Sequence, residues 1–149
     1  MNTINIDTPL GRMYLASDGE SITGLKFGTC EKDTPDAVLL MAKSELEEYF
    51  AGERKDFAVP VKPEGTAFQQ KVWSALREIP YGETATYGEI AKRIGNEKAC
   101  RAVGMANNRN PIAIIVPCHR VIGAGGSLTG YAGGIDKKEF LLKLESQRR

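Results

Sequence analysis

Ile112-Ala113-Ile114-Ile115-Val116-Pro117-Cys118-His119-Arg120 is the stretch around which the chain is organised. Five apolar residues, most of them β-branched, predict a buried strand, and Pro117 ends it because proline has no N–H to give a ladder. A thiol follows at once, and after it the only histidine of the 149 residues. A cysteine just past a buried strand sits on a pocket floor, and a neighbouring imidazole favours the thiolate, the form that attacks. A buried structural cysteine beside a surface histidine fits the pair equally well, because free cysteine is among the most buried residue types. The remainder of the chain has to decide between the two.

Its size suits one domain, or one with a small companion, and allows a core without disulfides or metals. Hydrophobic content of 42% and charged content of 26% are ordinary for a globular protein. No apolar run approaches a membrane span and the polar N-terminus has no signal-peptide core, so the expectation is a cytoplasmic protein without membrane contact. Cys30, Cys100 and Cys118 are odd in number and widely spaced, which argues against a disulfide framework. A single histidine and no Cys-x-x-Cys pair argue against zinc. The net charge of +1 conceals an asymmetry: residues 1–60 sum to −5 and residues 61–149 to +6. The second half is therefore expected to meet an anion such as nucleic acid.

Upstream, residues 3–7, 12–17 and 21–27 alternate as strands, with turns at Thr8-Pro9-Leu10-Gly11 and Asp18-Gly19. A helix after Pro35 would place Val38, Met41, Ala42, Leu46, Tyr49 and Phe50 on one stripe and stop at Gly52. Cys30 falls in the intervening loop, where it is expected to be inert. Residues 53–64, with Pro60 and Pro63, read as a linker.

Closer to the central stretch, Thr66-Ala67-Phe68-Gln69 is a capping box opening a helix to about Glu78, with Trp73 as packing. Thr86-Tyr87-Gly88-Glu89 is a second box, opening a helix to about Ile94. Gly95 stops that helix, and Asn96 is expected to cap another through about Asn107. Helix, glycine turn and helix form a helix-turn-helix pattern, equally a DNA-binding and a packing motif. Lys92, Arg93, Lys98, Arg101 and Arg109 give it a positive face, and Ala99, Ala102, Gly104 and Ala106 would let its second helix approach a groove closely. After Val121-Ile122, a loop with glycines at 123, 125, 126, 130, 133 and 134 suits a pocket wall. Asp136 should cap a last helix that buries Phe140, Leu141 and Leu144 and carries Glu145, with Arg148 and Arg149 at its negative end. The fold class is thus α/β (α+β). Residues 1–60 form a small N-terminal antiparallel sheet plus helix; residues 61–149 form a mainly helical C-terminal domain with the helix-turn-helix.

Pro117-Cys118-His119-Arg120, with Asn110-Pro111, Arg101-Ala102-Val103-Gly104, Tyr131-Ala132-Gly133-Gly134, Lys138-Glu139 and Glu145, resembles the O6-alkylguanine-DNA alkyltransferases. The resemblance runs over about residues 66 to 146, while the N-terminal half matches only in type. It implies repair of duplex DNA containing O6-alkylguanine by transfer of the alkyl group to Cys118, and leaves O4-alkylthymine open as a further substrate. The target base would be flipped into the protein. The same resemblance implies that Glu145 orients His119, that His119 takes the Cys118 proton through a water, and that Tyr87 protonates the departing guanine. Val121, Tyr131 and Ala132 would bind the base, and Asn110 would tie the motif's turn to the active-site strand. Thr86, Tyr87, Asn96, Arg101 and Gly104 would contact DNA, with the second motif helix in the minor groove and Arg101 filling the space of the flipped base. Thr129 and Ala132 lie in the pocket loop where family members differ, which bears on the size of alkyl group accepted.

Transfer would occur once per molecule, with no cofactor and no metal, on a monomer, with cooperative binding along DNA left open. No cysteine-rich zinc module precedes residue 1, so a transcriptional role is not expected. Three rivals differ in their need for Cys118. A damage-flagging relative lacks the cysteine, a cysteine hydrolase would turn over without a basic helix-turn-helix, and a plain DNA-binding regulator needs no thiol.

Overall fold

The computed structural model describes residues 1–147 and divides the chain into two compact units, Met1–Glu64 with Pro111–Ile115, and Gly65–Asn110 with Val116–Arg149. Arg148 and Arg149, expected at the end of the last helix, lie outside the described residues.

In the first unit, β1 (Asn2–Thr8), β2 (Gly11–Ser17) and β3 (Ile22–Phe27) form an antiparallel meander in that order, with Ile4 opposite Leu15 and Leu15 opposite Leu25. Alternation sends Ile4, Ile6, Met13 and Leu15 into the core. Helix α1 (Ala37–Phe50) covers this sheet and is capped by Asp36, whose carboxylate accepts from the Leu39 N–H. Its buried stripe is rotated from the expected one: Leu39 and Glu45 are inside, and Met41 is exposed. Glu45 is tolerated there because it accepts from the N–H groups of Ala58 and Val59 and lies 3.5 Å from Arg54. Residues 53–64 are accordingly more than a linker. Val59 is buried, and Val61 pairs with Ile22 alongside β3.

The expected strand at 112–116 is absent. Only Ile112 bridges to Leu25; Ile114 then takes φ +68°, and the Ile115 N–H closes a three-residue turn onto the Ala113 carbonyl at 2.7 Å. Positive φ is a genuine outlier for a β-branched residue. The segment is buried throughout, as the apolar run required, but it turns where a strand would continue.

The second unit carries α2 (Ala67–Arg77), α3 (Tyr87–Arg93), α4 (Cys100–Asn108) and α5 (Ile135–Gln147). Both capping boxes form as expected, Thr66 with Gln69 and Thr86 with Glu89. Trp73 is buried and donates its indole N–H to the Ala106 carbonyl, fastening α2 to α4. Asn96 does not cap α4. Residues 96–99 make a turn, and α4 starts after Ala99 without a side-chain cap. Two short strands, β4 (Ala85–Thr86) and β5 (Val121–Ile122), pair in parallel, with Thr86 opposite Ile122. That pairing fixes the N-terminus of α3 beside the chain leaving Cys118. On α5, Phe140 is 40% exposed, whereas Lys138 is completely buried. No helix among the described residues is long and apolar enough to cross a membrane.

Candidate active site

Pro117 makes another tight turn, in which the Cys118 N–H donates to the Val116 carbonyl at 2.8 Å. Cys118–Arg120 then winds into one turn of 3-10 helix. On an extended chain Cys118 and His119 would face opposite ways; in a 3-10 turn, with about three residues per turn, successive side chains stand roughly 120° apart. Cys118, His119 and Arg120 are all buried.

His119 and Arg120 converge on Glu145 of α5. His119 Nε2 lies 2.7 Å from Glu145 Oε2, while Arg120 Nε donates to Oε1 at 2.8 Å and its Nη2 to Oε2 at 3.0 Å. Arg120 Nη1 also donates to the Ile79 carbonyl at 2.7 Å, and its guanidinium carbon stands 5.7 Å from the centre of the Tyr81 ring. Such a forked pair suits a buried carboxylate because each oxygen receives a charge-assisted bond. Burial raises the Glu145 carboxyl, but the hydrogen bonds and charges of His119 and Arg120 outweigh it and hold the pKa at about 2. For His119 burial dominates over the lift from Glu145, so its pKa falls below 6.5 and the ring is neutral at pH 7. A neutral ring facing an ionised carboxylate places its hydrogen on Nε2. Nδ1, buried and without a hydrogen-bond partner among the described residues, is then a free acceptor.

Burial pushes the Cys118 thiol up, against a hydrogen bond from Asn110 and the charge of Lys138, both of which favour the thiolate. Asn110 also donates to the Val116 carbonyl at 2.8 Å, so it braces the turn leading into Cys118. The thiol is therefore protonated at rest and needs a base when it reacts.

Val121 is buried, and its carbonyl accepts from Lys138 Nζ at 2.5 Å. The same ammonium donates to the Thr129 carbonyl at 2.9 Å, so α5 holds the start of the glycine-rich loop and its middle. Burial lowers the Lys138 pKa, with Cys118 opposing. Tyr131 is half-buried, and burial of its hydroxyl, followed by the charges of Cys118 and Glu145, pushes the phenol upward. Ala132 is exposed.

Tyr87, the first residue of α3, donates its hydroxyl to the Thr129 carbonyl at 3.0 Å. Thr86 is occupied by its cap, and Asn96 and Arg101 are exposed on the helix-turn-helix. Gly104 is half-buried in α4, where an added Cβ would stand 3.8 Å from the Tyr87 ring. Sequence reasoning did not single out Arg120, Lys138 or Asn107 as site residues. Asn107 is buried and donates to the Cys118 carbonyl at 3.3 Å, leaving its Oδ1 without a partner among the described residues. Arg120 carried a signal, its position beside His119. Lys138 carried one too, its place in the Lys138-Glu139 pair that shares in the resemblance, whereas Asn107 carried none. Among the described residues no three His, Cys, Asp or Glu are grouped to hold a metal ion.

Two family models match. The 6-O-methylguanine DNA methyltransferase, DNA binding domain, covers residues 67–147, and the ribonuclease-like domain of the same family covers residues 3–63. The chain is 60% identical over 147 residues to a methylated-DNA–protein-cysteine methyltransferase of Methanosarcina acetivorans, covering 93% of this chain and 94% of the relative. It is 54% identical over 150 residues to the enzyme of the same name from Mycobacterium tuberculosis, covering 96% of this chain and 91% of that one. The crystal structure of Mycobacterium tuberculosis OGT in complex with DNA superposes with a TM-score of 0.92 at 52% identity, over 99% of this chain and 94% of the other. An O6-methylguanine DNA methyltransferase structure from Methanococcus jannaschii gives 0.72 at 30% identity, over 96% and 93%.

Proposed function

The chain belongs to the 6-O-methylguanine DNA methyltransferase family, and on that premise we propose that it repairs O6-alkylguanine in duplex DNA by moving the alkyl group onto Cys118, once per molecule. The observation that carries this reading is a buried thiol followed by a neutral His119 whose Nε2 is committed to Glu145 and whose Nδ1 is left to accept a proton.

Cys118 sulfur attacks the alkyl carbon while its proton passes through a water to His119 Nδ1. The imidazolium that forms is balanced by Glu145, the nucleophile, base and orienter logic of hydrolytic triads applied to a saturated carbon. The carbon–oxygen bond breaks towards the guanine, and Tyr87 supplies the proton that neutralises the leaving base; solvent later restores the proton on Tyr87 and removes that on His119. The product is a thioether, which His119 cannot hydrolyse, so the reaction ends there. No cofactor takes part.

The base reaches Cys118 by leaving the duplex. Val121, Tyr131 and Ala132 bind it, and Asn110 keeps the Cys118 turn in register with the end of α4. Thr86, Tyr87, Asn96, Arg101 and Gly104 meet the DNA, with α4 against the minor groove, Arg101 replacing the extruded base, and the positive balance of residues 61–149 favouring the phosphates. We assign alkyl transfer and DNA binding to the unit built from residues 65–110 and 116–147, in place of the expected 61–149, and leave residues 1–64 with 111–115 as the separate N-terminal unit. We assign the protein to the cytoplasm and read it as a monomer.

A duplex carrying one labelled O6-methyl group, titrated with protein, tests this reading. Label should move to protein until one equivalent is consumed and then stop. Continued loss of label beyond one equivalent, or release of free methanol, would exclude it.

A further inference from the structure

Thr129 holds Tyr87 in two ways. Its backbone carbonyl accepts the Tyr87 hydroxyl at 3.0 Å, and its side-chain hydroxyl donates to the same phenolic oxygen at 3.4 Å. The carbonyl has a second donor, Lys138 Nζ, at 2.9 Å. The loop also passes close to the other motif helix: at Gly130 (φ +56°) a Cβ would come within 3.1–3.2 Å of the Asn108 side chain that ends α4. Residues 129–130 are therefore where α3, α4 and α5 all meet the glycine-rich loop.

We propose that Thr129 is the positioning residue for Tyr87, holding the phenol oxygen through its side-chain hydroxyl while the phenolic proton is released from the Thr129 carbonyl to the base. This rests on the reading of Tyr87 as the proton donor. At rest the phenolic proton is spent on a carbonyl, and for transfer it must turn away. A carbonyl that loses its sole donor becomes an unsatisfied group, a cost that would oppose the turn. Here Lys138 remains on that carbonyl, so the phenol leaves without orphaning it. The Thr129 hydroxyl needs no rearrangement, because it donates to the phenol oxygen whichever way the phenolic proton points. A donor on that oxygen also polarises the O–H and strengthens the bond it gives to the base. Thr129 and Tyr87 are partly open to solvent in the DNA-free protein, so the resting contact competes with water and is easily exchanged.

The test is single-turnover transfer from an O6-methylguanine duplex at saturating protein, with DNA affinity measured separately. Thr129→Val keeps the shape and removes the hydroxyl. It should slow transfer about tenfold, with affinity within about twofold of the parent. Thr129→Ser should restore the rate. In a Tyr87→Phe background, where no phenol oxygen exists to be held, Thr129→Val should add no further loss. Parental rates for Thr129→Val, failure of Thr129→Ser to rescue, or an undiminished Thr129→Val effect on Tyr87→Phe would each overturn the inference while leaving the reading of Tyr87 intact. A parental rate for Tyr87→Phe itself would overturn both.

Discussion

His119 and Glu145 are 26 residues apart in the chain and meet at 2.7 Å, both of them buried, with Arg120 forking onto the same carboxylate. This contact ties the 3-10 turn after Pro117 to α5, and it decides which imidazole nitrogen can act as a base. It also makes the protein's stability depend on pH in a definable sense.

Glu145 titrates at about 2 in the folded protein against an ordinary 4.5, so the unfolded chain binds this proton more readily. Its contribution is complete above pH 4.5 and is lost as pH falls towards 2, on the order of 3 kcal/mol in all. His119, lowered from 6.5 by burial, acts in the same direction, since the folded state resists its protonation. Urea unfolding should therefore show a midpoint that declines as pH falls below about 6.5 and drops most steeply below 4.5. Glu145→Gln should lose about 3–5 kcal/mol at pH 7, because it leaves the Arg120 charge buried without its partner. A Glu145→Gln protein as stable as the parent at pH 7 would contradict the geometry.

Lys138 offers a second handle. Its ammonium, fully buried, spans the Val121 and Thr129 carbonyls. Lys138→Met removes both bonds but also relieves a buried charge, so global stability should change by less than about 2 kcal/mol. The loop between those carbonyls should respond far more. Amide exchange over residues 122–129 is expected to rise about tenfold while α2 is unaffected. Unchanged loop exchange would mean that α5 does not hold it.

Gly104 separates folding from DNA contact. An added Cβ would meet Tyr87 ring atoms only at 3.8 Å, an ordinary van der Waals distance. In mid-helix, Gly104→Ala should raise stability by about 0.5–1 kcal/mol. Binding to O6-methylguanine duplex should weaken nonetheless, since the glycine is read as the close-approach point of α4. Thermal melting and fluorescence anisotropy on the same variant give both answers. A stabilised variant with undiminished DNA affinity would remove Gly104 from the interface.

The local signals that could be read in the sequence were those with a local cause. The Thr66–Gln69 and Thr86–Glu89 capping boxes, the alternation in β1 to β3 and the stop at Gly95 all act within a few residues, and each formed. The apolar run 112–116 announced burial correctly and conformation wrongly, because hydrophobicity does not distinguish a strand from turns closed by i to i+2 bonds at Ile114 and Pro117. Asn96 looked like a cap, yet α4 begins at Cys100 after a turn held by the Ala99 N–H on the Asn96 carbonyl, a choice with no residue-level signature. On α5 an ammonium took the core position expected of Phe140. Its partners are the backbone carbonyls of Val121 in β5 and Thr129 in the preceding loop, which no pattern of side chains reveals. The Cys118, His119 and Glu145 assignment came from a resemblance; spacing alone left a structural cysteine equally open.

The central claim is that Cys118, and neither Cys30 nor Cys100, accepts the alkyl group. Intact mass followed by peptide mapping, after mixing with an excess of duplex containing O6-methylguanine, tests it most directly. The protein should gain the mass of one methylene, wholly on the Cys118 peptide, and stop at one equivalent, while Cys118→Ala binds the duplex and gains nothing. Methylation of the Cys30 or Cys100 peptide, or any gain by Cys118→Ala, would contradict the assignment.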